Sequence, residues 1–167
     1  WNAALNQLYM SSYHLAPDLI PSYLDALVKH RIVYLWGYTS ALYELARVAL
    51  RDQRDDLRMR VVITNAEPVF DYQREVIEQA FQCQLRETYG MAEIVAAAGE
   101  CEKGQLHLWP EVGRVEVLDG NTPLPPGVSG DLVCTGLIND DMPLIRYRVG
   151  DRGAVSGEAS CACHRCM

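Results

Sequence analysis

Between Arg31 and Tyr89, apolar runs of strand length alternate with stretches of helical periodicity, and this alternation constrains the fold more than any other feature of the sequence. Arg31 to Trp36 is a short apolar run of strand type, ended by Gly37. Thr39 and Ser40 can cap a helix whose Leu42, Leu45, Ala46 and Ala49 follow the i, i+3, i+4, i+7 rule. The charged stretch from Arg51 to Arg58 reads as a solvated loop or a frayed helix end. Arg60 to Thr64 is then a buried strand by composition, and Asn65-Ala66-Glu67-Pro68 a turn into a helix, with Pro68 suited to its first turn. Val69, Tyr72, Val76 and Ala80 mark that helix's buried face, and it ends near Phe81. Gln84 to Tyr89 is a further strand. An earlier helix, Pro21 to His30, carries Leu24 and Leu27 on one face. Strand, helix, strand with short connections implies parallel pairing through right-handed crossovers.

Near residue 100 the pattern changes. Leu106 and Leu108 alternate with His107 and Trp109, and Val115 and Val117 with Arg114 and Glu116. Asp119-Gly120 is a hairpin signal, and Asp131 to Thr135 and Leu144 to Val149 are further short strands. The fold class is therefore α/β: a parallel β-α-β part over residues 1–100, then a smaller, mainly antiparallel β part over 101–167. Fifteen Lys and Arg against 22 Asp and Glu give a net charge of -7, which argues against nucleic acid as a partner, since phosphate binding needs a basic face. No stretch approaches the ~20 apolar residues of a membrane span, so no membrane partner is expected.

Three of the six cysteines crowd into Cys161-Ala162-Cys163-His164-Arg165-Cys166. Clustering of this kind reads as metal chemistry rather than a disulfide framework, and with no basic-then-apolar leader at Trp1 the expected compartment is the cytoplasm. Cys101, His107, Cys161 and Cys163 are expected to make up a Cys₃His zinc set, with Cys166 as a rival ligand through the Cys163-x-x-Cys166 spacing; the alternative is that Cys101 and His107 are unrelated loop residues. His107 alternates with Leu106 and Leu108 and is expected to point away from the core. Cys83 and Cys134 sit in apolar runs and read as buried thiols.

The remaining chemistry concentrates in three segments. These are Asn65-Ala66-Glu67-Pro68; Glu87-Thr88-Tyr89-Gly90-Met91-Ala92-Glu93; and Gly130-Asp131-Leu132-Val133-Cys134-Thr135-Gly136-Leu137 with the following Met142-Pro143-Leu144-Ile145-Arg146-Tyr147-Arg148-Val149-Gly150-Asp151. In open parallel sheets ligands bind beyond the carboxyl ends of strands, where such turns sit. Tyr89 offers a face to a base, Gly90 lets backbone approach closely, Glu93 is a hard oxygen ligand for Mg²⁺, and Asp151 can accept two hydrogen bonds from a ribose diol. Taken singly these are ordinary features: a turn, a hairpin, two strand arginines with ion-pair partners.

In order and spacing, however, Tyr-Gly-x-x-Glu, Gly-Asp-Leu-Val-x-Thr-Gly-Leu and Met-Pro-Leu-Ile-Arg-Tyr-Arg-x-Gly-Asp resemble the adenylate-forming ligases. The branch resembled is that of the phenylacetate–CoA ligases and their relatives in capsular polysaccharide biosynthesis. Tyr13-His14-Leu15, Trp36-Gly37-Tyr38-Thr39-Ser40-Ala41-Leu42-Tyr43 and the terminal Cys-x-Cys-x-Arg fit the same branch, so the resemblance runs from about Met10 to Arg165. It implies activation of a carboxylic acid with ATP to an acyl-adenylate, then transfer to coenzyme A. It further implies that Tyr89 stacks on adenine, that Ala66, Glu67, Gly90 and Met91 line the base site, that Glu93 reaches Mg²⁺ as the catalytic carboxylate, that Asp151 holds the ribose, and that Arg165 lies near an interdomain hinge.

Three positions depart from the family pattern: Ala92 where a hydroxyl residue is common, Val149 where Thr is common, and His164 for a glycine. The family's Ser/Thr/Gly-rich phosphate loop is not found between Trp1 and Tyr89, and no lysine sits in the context of the family's C-terminal catalytic lysine. The chain therefore reads as a fragment of the large domain, expected to be inactive alone. The alternative reading is a non-catalytic, zinc-stabilised nucleotide-binding or assembly module. Trp36, Tyr38 and Tyr43 either line an aryl pocket or belong to the core.

Overall fold

The computed structural model describes residues 1–157 and 161–163. The chain forms two compact units, Trp1–Glu87 and the residues from Thr88 onward. Helices α1 (Ile20–Lys29), α2 (Thr39–Arg51) and α3 (Asp71–Phe81) alternate with strands β1 (Tyr34–Tyr38), β2 (Val61–Asn65) and β3 (Leu85–Gly90). β1 and β2 run parallel, with Leu35 opposite Val62 and Gly37 opposite Thr64. The first half of β3 continues the parallel pairing, with Val62 opposite Leu85 and Thr64 opposite Glu87.

The alternating inward residues Leu35, Val62 and Leu85 meet the helices in one core, with Leu24 and Leu27 of α1, Leu42, Leu45, Ala46 and Ala49 of α2, and Ile77, Ala80 and Phe81 of α3. Fully burying each larger side chain contributes roughly 1.5–3 kcal/mol, and this cluster is what holds the crossovers to the sheet.

Several local expectations are corrected. β1 starts three residues late because α1 closes through Arg31, at φ 52°, with the Ile32 N–H returning to the Leu27 carbonyl. It then runs through Gly37 to Tyr38, because pairing with β2 continues there. The charged stretch after α2 is not wholly solvated: Leu57 is buried, and Met59 bonds to the Phe81 carbonyl. α3 begins at Asp71, three residues beyond Pro68. Its buried residues are Gln73, Ile77, Ala80 and Phe81, Val69 and Val76 pack half-buried on the same core as expected, and Tyr72 alone of the expected face lies outside, against Phe70 and Tyr43. Gln73 takes the inward position because its Oε1 turns back to accept the Phe70 N–H at 3.1 Å, which satisfies a buried amide and a free helix-start donor together.

From Thr88 the pairing is antiparallel. The second half of β3 pairs with β4 (Ala97–Glu100), and β4 with β5 (Leu106–Leu108), with Gly99 opposite His107. A second sheet, ordered β7-β6-β8-β9, contains β6 (Gly113–Asp119), β7 (Thr122–Pro123), β8 (Gly130–Gly136) and β9 (Tyr147–Gly153). β9 begins later than the apolar run suggests because Arg146 turns at φ 51°. Gly113 is needed for packing: a Cβ there would overlap the Val95 carbonyl oxygen and lie 2.8 Å from that of Thr135. Val95, Ala96 and Cys134 form the small core beside it, flanked by Tyr89, Met91 and Tyr147. No helix among the described residues is long and apolar enough to cross a membrane.

Candidate functional site

Tyr89, at the end of β3, donates its hydroxyl proton to Asp151 Oδ2 at 2.8 Å. Burial, and next the Asp151 carboxylate itself, push the Tyr89 phenol far above its ordinary range, so the ring stays a neutral donor. Gly90 is the exposed last residue of β3, paired with Ala97, and Met91 packs half-buried on the small core. The chain then turns tightly, with the Ile94 N–H on the Met91 carbonyl at 3.0 Å. Ile94 stands at φ 52°, where a β-branched residue is strained by roughly 1–2 kcal/mol. That turn presents Glu93, whose Oε1 accepts the Tyr147 hydroxyl at 3.0 Å. The bond to Glu93 raises the Tyr147 phenol as well. β9 thus holds both ends of the Tyr89–Glu93 segment, Asp151 from one position and Tyr147 from another.

Tyr147 is a site residue that the sequence reading left out. Its place inside Arg146-Tyr147-Arg148, alternating with two charged neighbours, was the available signal. The arginines do pair, Arg146 with Glu116 at 3.3 Å and Arg148 with Asp131 at 3.2 Å, and Arg152 adds a second contact to Asp131 at 2.7 Å.

In the first unit, Ala66 occupies the β2–α3 turn at φ 62°, and Glu67 follows half-buried. Glu67 has a defined structural task. Its Oε2 accepts the Ser40 N–H at 2.7 Å, its Oε1 accepts the Ser40 hydroxyl at 3.0 Å, and its carbonyl accepts the Thr39 hydroxyl at 3.3 Å. The start of α2 is therefore capped by a carboxylate from 27 residues downstream, and not by Thr39 or Ser40 from within. Trp36 and Tyr38 are exposed and line an open groove of about 730 Å³ in this unit with Met10, Leu15 and Tyr34, whereas Tyr43 packs against the core.

Cys101, His107, Cys161 and Cys163 come together, their ligand atoms all within 4.8 Å of one another. His107 does not point away from the core as expected: it is buried, and Leu106 is the exposed residue of β5. Cys134 is buried and Cys83 half-buried. Arg165, His164 and Cys166 lie outside the described residues.

No protein-family model matches the chain. A computed overlay on 2-hydroxyisobutyryl-CoA ligase, in a structure described as holding 2-HIB-AMP and CoA, gives a TM-score of 0.74 at 22% identity, covering 90% of this chain and 34% of that one. The fold is that of part of an adenylate-forming ligase domain. Among curated proteins, Protein CapK of Staphylococcus aureus is 31% identical over 162 residues, 95% of this chain and 34% of that protein. The phenylacetate-coenzyme A ligase of Thermus thermophilus is 33% identical over 117 residues, 66% of this chain and 26% of that enzyme. The chain is a homologue of CapK and the phenylacetate-coenzyme A ligases, and it spans about a third of CapK and a quarter of the ligase.

Proposed function

We propose that the chain contributes the adenosine and Mg²⁺ contacts of an ATP-dependent carboxylic acid–CoA ligase of the phenylacetate type. The observation that carries this reading is the Tyr89–Asp151 hydrogen bond, which joins an aromatic face to a ribose-competent carboxylate at the end of a strand. Its chemistry follows from the residues. The Tyr89 ring offers a stacking surface to adenine, and Gly90 leaves the backbone open to the base edge. Asp151 uses Oδ2 for Tyr89, and its Oδ1 makes no hydrogen bond among the described residues, which leaves it to accept from the ribose diol.

Glu93 fits a Mg²⁺ site in the same way: Tyr147 orients it through Oε1, and Oε2 remains unused among the described residues. Bound there, Mg²⁺ would offset negative charge on the ATP phosphates. Ala66, Glu67 and Met91 are assigned to the base site and Arg165 to the region near the interdomain hinge, on their positions in the motifs. The small-molecule partners are then ATP, a carboxylic acid and coenzyme A, and the compartment the cytoplasm. The residue division at 1–100 and 101–167 belongs to the same reading, with the base and Mg²⁺ contacts in the first part, and the Asp151 ribose contact and the hinge in the second.

The test is AMP binding by calorimetry to the protein at its full natural length. Asp151→Ala should weaken AMP by about 1–3 kcal/mol, roughly 5–150-fold, the scale of a lost charged hydrogen bond. Tyr89→Phe, which keeps the ring, should lose much less. Unchanged AMP affinity in Asp151→Ala would overturn the assignment.

A further inference from the structure

The strongest constellation that includes neither Tyr89 nor Asp151 lies where the β4–β5 turn meets Cys161 and Cys163, after β9. Cys101 follows β4 directly, and its backbone closes the turn: its N–H donates to the Gln105 carbonyl at 2.8 Å, and the Gly104 N–H returns to the Cys101 carbonyl at 3.0 Å. Gly104 supplies the φ of +75° that this return requires. The turn aims the Lys103 N–H at Cys101 Sγ, 3.3 Å away. A backbone donor two residues on, pointed at sulfur, is the arrangement that stabilises a thiolate in a metal knuckle.

The distances match one tetrahedral ion. Zinc at ~2.3 Å from sulfur and ~2.0–2.1 Å from nitrogen sets an S···S edge of about 3.8 Å and an S···N edge of about 3.6 Å. Cys101 Sγ stands 3.8 Å from Cys161 Sγ, and Cys163 Sγ stands 3.4 Å from His107 Nε2. A Cys101–Cys161 disulfide would need about 2.05 Å, so these sulfurs are not bonded to each other. His107 adds the independent sign. It is 1% exposed on a strand whose neighbour Leu106 is 43% exposed, so an imidazole has displaced a leucine from the inward face. Such a burial is costly unless the ring's polar atoms are engaged.

We infer that Cys101, His107, Cys161 and Cys163 bind a single structural zinc ion that fastens the segment after β9 to the β4–β5 turn. Four protein donors fill the tetrahedron and leave no position for water or substrate, so the ion has no catalytic role. Hard ions such as Mg²⁺ are excluded by the three sulfurs. The site is independent of the nucleotide reading and would hold in a protein that bound no nucleotide.

The protein purified without chelator, at its full natural length, should carry one zinc per chain by mass spectrometry. Replacement by cobalt should give the intense visible absorption of a tetrahedral thiolate site. A strong chelator should release the metal and raise the number of thiols reactive to a disulfide reagent by three. Cys101→Ser and His107→Ala should each lose stoichiometric zinc. His107→Cys, which makes another standard structural set, should retain it, as should Cys83→Ser outside the cluster. The retained-zinc variants separate loss of the site from failure to fold. No stoichiometric metal in the unmodified protein, an octahedral cobalt spectrum, a Cys101–Cys161 disulfide in the protein purified under reducing conditions, or zinc retained by a Cys101→Ser, His107→Ala double variant would each overturn the inference.

Discussion

Glu67→Ala offers the most direct test of how the first unit is held. The carboxylate gives α2 its only side-chain cap among the described residues, taking the Ser40 N–H at 2.7 Å and the Ser40 hydroxyl at 3.0 Å. A hydrogen bond to a charged group contributes roughly 1.5–3 kcal/mol, and an N-cap roughly 0.5–2. Glu67 is half-buried and Ser40 exposed, so screening brings the combined effect to about 1–2 kcal/mol. In a chain of this size that is a fall in Tm of about 2–4 °C for each kcal/mol. Urea unfolding should show a lower midpoint at unchanged slope, and hydrogen exchange should speed at the Ser40 amide. A double-mutant cycle with Ser40→Ala should return a coupling of about 0.5 kcal/mol or more, from the hydroxyl bond alone. A Glu67→Ala midpoint equal to wild type, or strict additivity in the cycle, would show that the α2 start does not depend on this carboxylate.

Two further outcomes follow from the geometry. Burial, then the Asp151 and Glu116 carboxylates, raise the Cys134 thiol from 9.0 to about 11. A raised thiol pKa means the folded state holds the proton more tightly, so this contribution is full below pH 9 and fades as pH rises through 11. The wild type should therefore lose stability across that window more steeply than Cys134→Ala, as measured by urea midpoints, and parallel curves would refute the assignment. The 167-residue chain expressed alone should not catalyse pyrophosphate exchange into ATP, because the residues proposed here supply base, ribose and Mg²⁺ contacts but no phosphate cradle or lysine. Exchange at ~1 per second or faster would mean that those groups are present in it and unrecognised.

The parallel order of β1, β2 and β3 was legible because apolar strand runs and helical periodicity are set by burial on one side of a sheet, and the residues between them are too few for other topologies. The phase of α3 was legible only in part: Val69, Val76 and Ala80 do pack on the core, but Tyr72 does not. Gln73 reads as a solvent residue until its amide is seen to return to the Phe70 N–H, which pulls Ile77 and Phe81 inward and leaves Tyr72 outside. His107 misled for a related reason: alternation assigns the apolar residue to the inside, and only proximity to three distant cysteines reverses it. Cys161 and Cys163 were legible as metal-type residues from their clustering, whereas Cys101 lies 60 residues away from them. The capping of α2 by Glu67 and the tether from Tyr147 to Glu93 join residues 27 and 54 apart, and no local pattern carries such a contact.

β3 pairs in two ways along its own length, and the two pairings belong to different kinetic regimes. Its first half reaches β2 only through α3, and β1 reaches β2 only through α2, so each contact must first close a loop of a whole helix. Its second half meets β4 after a short turn, and β6 meets β7 across a two-residue one. Local pairings are reached early and crossover pairings late. During refolding, amides of β4, β5 and β6 should gain protection before those of β1 and β2, and pulse-labelled hydrogen exchange reads that order directly. One strand would then wait half-paired, its Thr88–Gly90 end docked while its Leu85–Glu87 end still searches for β2.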